Sequence, residues 1–422
     1  MQAIGIDLGT TGLCAVALDV DTGAVVRTLS ASNTAWIEGQ AWERLQDADA
    51  IAETAIGMLD ELLTADTAVI GVTGQMHGIV YTDETGRAVS PLYTWQDGRG
   101  DRPCGDTTYA ARLGSHSGYG CVTDLYNREN GLVPSEAVGF CTVHGYLVIR
   151  LCGLTRAVVH VTDAASFGCF DVRRKRFTCD CAVQTVDEYR CVGTYKGVPV
   201  GVAIGDNQAS VLATLAGGRE VLLNVGTGSQ VSVVSDVPLD GPHLETRPYF
   251  EGKYLVVGAA LCGGRAYALL RDFYAAVLRA ADVDASAETV YAAMDAMLAE
   301  PCERPLAVDT RFSGTRADGN VRGSVSGIST HNFTPAALTR GVLEGMAREL
   351  HGMYLEMGVA CTGMVGAGNG VRKNAAFVLA AEQLFGMPLH ISTRTEEAAC
   401  GAALFGLLCI GRYEKMDDIA LN

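Results

Sequence analysis

Positive charge is what this sequence has too little of. Its 32 lysines and arginines stand against 48 aspartates and glutamates, giving a formal net charge of −16 over 422 residues. A nucleic acid or an anionic membrane would meet no basic face to offset phosphate repulsion, so neither is expected as a partner. Long apolar runs are missing too: the longest, around Gly401 to Ile410, falls well short of the ~20 residues that a spanning helix needs. The chain opens directly on Ala3-Ile4-Gly5-Ile6-Asp7, with no basic leader and an acid inside the apolar run. That is no signal peptide, and it points to the cytoplasm. No low-complexity linker or charge block interrupts the chain. The fourteen cysteines fit reduced thiols packed as small core residues. As a metal set, Cys179, Cys181 and Cys191 lack a fourth ligand at the spacing of structural zinc sites.

What is present is apolar material for two cores, 48% of the residues, in a chain too long for one ordinary domain. Residues 2–7 and 13–19 read as strands around the turn Gly9-Thr10-Thr11-Gly12. The design returns downstream, where residues 221–225 and 230–234 flank Gly226-Thr227-Gly228-Ser229. A strand, a Gly-Thr turn and a strand in each half imply duplicated domains, 1–217 and 218–422, with the boundary near Gly217-Gly218. Apolar residues at helical spacing predict helices over 42–63, 341–357 and 374–384, so the class is α/β with mixed sheets.

The chemistry gathers where strands end. Val69-Ile70-Gly71-Val72-Thr73 reads as a buried strand that delivers Gln75, Met76 and His77 to a ligand, and Leu92-Tyr93-Thr94 leads likewise into Trp95, Asp97 and Arg99. Amide, imidazole and carboxylate groups beside one indole face suit a small polyol. The Gly-Thr turns, Gly9-Thr10-Thr11 and Gly226-Thr227-Gly228, free backbone N–H groups to cradle a phosphate. Asp7, at the end of the leading strand, is placed for Mg²⁺, through water because that ion keeps much of its hydration. Asp206 follows the apolar run 198–204 and precedes a helix, so a carboxylate sits at a strand-to-helix junction where it can serve as a base. Asn207 is the hydrogen-bonding neighbour. In the run Val365-Gly366-Ala367-Gly368-Asn369-Gly370, the glycines let a flat base lie against backbone, with Asn374 at its edge.

GQMHG at 74–78, WQDGR at 95–99 and GDNQAS at 205–210 resemble the FGGY carbohydrate kinases, and within them the sedoheptulokinases and then the xylulokinases. The likeness runs from the first strand to about Phe405. It implies the duplicated ribonuclease-H-like fold of the actin and hexokinase superfamily, two domains with a central cleft. It also implies a kinase that uses ATP and Mg²⁺ to phosphorylate the primary hydroxyl of a ketose, sedoheptulose before xylulose. By the same resemblance Asp206 is the catalytic base, and residues 366–374 form the adenosine loop with Gly264 as a further nucleotide-facing backbone. Glu397 to Ala403 is the small-residue helix expected to close against that loop. Residues 171–200 and the C-terminus look shorter than in typical members. A homodimer is the assembly considered, and a sugar sensor without turnover is the rival of another class.

Overall fold

In the computed structural model the chain is described over residues 1–181, 183–215, 218–299, 302, 306–316 and 318–419. Gly217, half of the expected boundary dipeptide, lies outside them. Two compact units are present: Met1–Gly218 with Arg247–Tyr254 and Glu396–Asn422, and Arg219–Thr246 with Leu255–Thr395. The two short returns to the first unit depart from the expected pair of continuous halves. They do so because contact, and not chain order, decides where a segment buries its apolar surface.

The first unit is built on a sheet of seven strands. One part of it, running in to the centre from an edge, is β3 (Val25–Ser32), β2 (Gly12–Asp19), β1 (Gln2–Leu8) and β4 (Thr67–Gly74). The far edge is β5 (Cys191–Tyr195), β6 (Val198–Gly201) and β7 (Ile204–Gly205). The order is β5-β6-β4-β1-β2-β3, and β7 also pairs β4. β1 and β4 are apolar along nearly their whole length, because the sheet is covered on both faces. On one face lie α1 (Ala48–Leu62) and α2 (Val143–Cys152), which share a core with Ile4, Ile6 and Ile70. Asp47 caps α1 by accepting from the Ala50 N–H, so the helix starts at Ala48, and Trp42 and Leu45 lie outside it, unlike the expected 42–63.

A second sheet, all of it but residues 247, 248 and 254 in the second unit, repeats the plan. Its six strands are β8 (Glu220–Val225), β9 (Ser229–Ser235), β10 (Leu244–Pro248), β11 (Tyr254–Ala260), β12 (Gly363–Ala367) and β13 (Leu389–Ile391). Their order is β10-β11-β9-β8-β12-β13. As β1 pairs β2 antiparallel and β4 parallel, so β8 pairs β9 antiparallel and β12 parallel. The long helix α3 (Pro335–Met357) starts six residues earlier than its periodicity alone indicates. Thr334 caps it, proline takes its first turn, and Gly358 ends it at φ 63°.

Helix α4 (Glu397–Cys409) packs against β1, β4 and the helix Asp206–Leu215 of the first unit. Its small residues serve backbone-to-backbone contact there. A Cβ on Gly5 would stand 1.9 Å from the Ala399 carbonyl oxygen, one on Gly71 1.7 Å from that of Ala402, and one on Gly401 1.8 Å from that of Ala209. No helix among the described residues is long and apolar enough to cross a membrane.

Candidate active site

Asp7 and Asp206 reach the same corner of the first unit because their strands flank β4. Thr73 of β4 is in register with Asp7 on one side and with Ile204 on the other. The Thr73 hydroxyl donates to the Ile204 carbonyl at 2.7 Å, which fixes the strand that carries Asp206. Burial pushes the Asp7 carboxyl up to about 7, and the negative charges of Asp206 and Glu396 add to this while His144 opposes it. The Asp206 carboxyl is raised too, chiefly by burial, against the pull of His144 and Arg247. Near the pair sits a fully buried hydrogen-bonded couple: His144 Nε2 is 2.5 Å from Asp163 Oδ2, which also accepts from the Thr142 hydroxyl at 3.0 Å. Gly74 makes room for this imidazole, since a Cβ there would lie 3.0 Å from His144 Nδ1. No motif announces His144, Asp163, Arg247 or Glu396, and sequence reasoning missed all four.

The expected sugar residues form one connected wall. The Trp95 indole is 46% exposed, and its Nε1 donates to the Thr10 hydroxyl at 2.9 Å. Thr10 donates in turn to Gln75 Oε1 at 3.2 Å, and Gln75 Nε2 donates to the buried Gln46 at 2.9 Å. Gly118, at φ 80°, lies against the Trp95 backbone, where a Cβ would come within 2.0 Å of its carbonyl oxygen. The next residue, Tyr119, stacks on His77 at a centroid distance of 4.2 Å. His77 itself stands at φ 73°, an uncommon conformation for a side-chain-bearing residue. It is held there by Ser166, whose hydroxyl accepts from the His77 N–H and whose carbonyl meets Nδ1 at 2.8 Å. Met76 closes the floor beside Gly205, next to Asp206.

Asp97 is corrected. It is 1% exposed, and its oxygens bind the Arg99 guanidinium, the Arg99 N–H and the Arg44 N–H. Arg99 in turn lies 4.0 Å over the Tyr93 ring. The carboxylate therefore braces the Trp95 turn and is spent before any sugar arrives.

In the second unit the turn 226–228 is pinned by the start of α5 (Gly263–Ala280). The Gly264 N–H donates to the Gly226 carbonyl at 2.9 Å and the Arg265 N–H to that of Thr227 at 3.0 Å. A Cβ on Gly368 would lie 2.5 Å from the Val225 carbonyl oxygen and one on Gly370 2.4 Å from a Val225 methyl, so this loop sits on the end of β8. Gly366 differs: it faces Val371 and Leu389 in the core, and packing explains it. Asn374 caps the helix Ala375–Phe385 by accepting from the Phe377 N–H at 3.0 Å.

Comparison with known proteins accounts for both halves. The model of the FGGY family of carbohydrate kinases, N-terminal domain, matches residues 2–112, and that of the C-terminal domain matches residues 221–409. The chain belongs to the FGGY family of carbohydrate kinases. It is 29% identical to the sedoheptulokinase of Mus musculus over 467 aligned positions, covering 95% of this chain and 96% of that one. It is 24% identical to the glycerol kinase of Aromatoleum aromaticum, with 99% and 92% covered. In fold it matches the xylulose kinase of Rhodospirillum rubrum, with a TM-score of 0.85 at 22% identity over 99% of this chain and 92% of that one. As an FGGY kinase the protein is a phosphotransferase acting on a sugar, with ATP as the family's donor. The residues at the Asp7 corner fit a cation: Asp7 Oδ1 is buried with no hydrogen-bond partner among the described residues, and the negative charges of Asp206 and Glu396 bear on it.

Proposed function

We propose that this FGGY kinase phosphorylates the primary hydroxyl of a ketose, with sedoheptulose preferred over xylulose. The observation that carries the reading is the wall from Gln75 through Trp95 and Tyr119 to His77, in which Met76 packs against Gly205, the residue before Asp206. It offers hydrogen-bonding groups for several hydroxyls and an indole face for a carbon chain. A longer ketose satisfies more of them. The similarity to sedoheptulokinases of mouse and man, 29% and 28% over almost entire chains, supports the same choice.

Residues 1–217 would hold the sugar and the base, and residues 218–422 the nucleotide. Asp206 accepts the hydroxyl proton, a role to which its raised pKa suits it, because a carboxylate of higher pKa is the stronger base. Asn207 hydrogen-bonds the sugar. Backbone N–H groups of Gly9, Thr10 and Thr11 and of the 226–228 turn hold phosphates, while Gly264, Gly368, Gly370 and Asn374 frame the base. Asp7 would hold Mg²⁺, which when bound neutralises phosphate charge. A coupled ADP-release assay over sedoheptulose, D-xylulose and glycerol tests the reading. The expected order of kcat/KM is sedoheptulose, then xylulose, then glycerol. Xylulose ahead tenfold would reassign the sugar, and no turnover with any polyol would favour a silent sensor of the same fold.

A further inference from the structure

We propose that Cys121, Cys169, Cys179 and Cys181 form a structural zinc site that staples together the two segments holding His77. The sulfurs of Cys121, Cys169 and Cys179 all lie within 4.8 Å of one another. Those of Cys121 and Cys179 are 3.8 Å apart. Zinc bound tetrahedrally by thiolates at ~2.3 Å sets its sulfurs ~3.8 Å apart, so this pair already spans one edge of the tetrahedron. Cys181 supplies the fourth thiol: it lines the same cavity of about 200 Å³ as Cys121 and Cys179, and its sulfur, outside the group of three, has only to turn inward to complete the set.

The sequence hides this site because its ligands come from three places. Cys121 lies in the helix Gly120–Glu129, Cys169 follows the turn Ala165–Phe167, and Cys179 and Cys181 follow the strand Arg176–Phe177. The C-x-C pair thus finds its partners by folding and not by spacing. Cys191 belongs elsewhere, in contact with Cys409. One further feature fits the assignment. Cys169 is held at φ 50°, where a residue other than glycine is strained, so the side chain earns its place there. Soft thiolates in tetrahedral array select zinc among the common divalent ions.

The consequence is local to the sugar wall. Cys121 lies two residues after Tyr119, which stacks on His77, and Cys169 three residues after Ser166, which fixes the His77 backbone and ring. A metal joining the two cysteines would hold the stacked face of that imidazole and its Nδ1 edge together.

The test is elemental analysis of the purified full-length protein by plasma mass spectrometry. About one zinc per chain is expected, with Cys191→Ser retaining it and the double variant Cys179→Ser/Cys181→Ser losing it. Should that variant misfold, the wild-type protein still decides the matter. Stripped of metal and given Co²⁺, it should show thiolate-to-cobalt charge transfer and the visible bands of tetrahedral cobalt. Absence of stoichiometric metal with all four thiols open to alkylation would overturn the proposal. So would a disulfide between any two of them, an iron–sulfur chromophore, or zinc retained in the double variant.

Discussion

Replacing Asp206 by asparagine keeps the shape of the side chain and removes its ability to take a proton. Turnover of Asp206→Asn should fall by about 10²-fold to 10⁴-fold, with nucleotide affinity measured by calorimetry largely kept; unchanged turnover would remove Asp206 from the role of base. A second residue-scale expectation concerns His160, which is fully buried beside Phe250 and Phe405. Burial, helped by the charge of Lys175, pushes its pKa from 6.5 down to about 3. Between those values the unfolded chain carries a proton that the folded chain does not, so stability is complete above pH 6.5 and falls as pH drops. At pH 5 the loss should be about 2 kcal/mol, and melting curves of His160→Gln should be flatter between pH 7 and 5 than those of the wild type. The residues that were legible share one property. Gln75, His77, Asp7 and Asp206 each stand at the end of an apolar run, where sequence alone shows a side chain leaving a strand. His144 and Asp163 do not, because each comes from a helix whose partner is distant in the chain. Asp97 was misread for the opposite reason: Arg99, two residues on, turned back and consumed it.

At the scale of elements, α4 carries the sharpest expectation. Gly71 meets the Ala402 carbonyl oxygen, and backbone cannot swing aside as a side-chain tip can. Gly71→Ala should therefore destabilise the protein by about 3 kcal/mol or more, seen as a lower urea midpoint at unchanged slope. Gly57, whose added Cβ meets nothing within 4 Å, is the control, and Gly57→Ala within α1 should be neutral or mildly stabilising. The run Ala398-Ala399-Cys400-Gly401-Ala402-Ala403 told the reader that something comes very close to this helix, but not what. Close approach is written in residue size, whereas the identity of the partner depends on tertiary contact. Helix ends were better specified: Gly386 at φ 66° stops the helix Ala375–Phe385 within a residue of the expected place, because a cap is a local interaction. The start of α1 was set by Asp47, and periodicity running through Trp42 and Leu45 obscured it.

For the molecule as a whole, duplication was legible because the strand-turn-strand signature occurs twice, and the paired sheets carry it through to register. The return of 247–254 and 396–422 to the first unit was not, since nothing in those segments marks which core they join. This division bears on the last expectation. The proposed sugar groups and Asp206 belong to the first unit, and the 226–228 turn with the 366–374 loop to the second. Phosphoryl transfer requires donor and acceptor in contact, so with the ligands held as proposed the reacting state would engage both units at once. Each ligand should then favour the arrangement that the other needs, and linkage makes the effect reciprocal: whatever factor a non-hydrolysable ATP analogue gives to sugar affinity, the sugar must give to the analogue. Calorimetric titrations of each ligand with and without the other should show equal factors, of about 5-fold to 100-fold. Independent binding, with both ligands proven bound, would mean that the units select their ligands separately and that coupling arises only in the transition state.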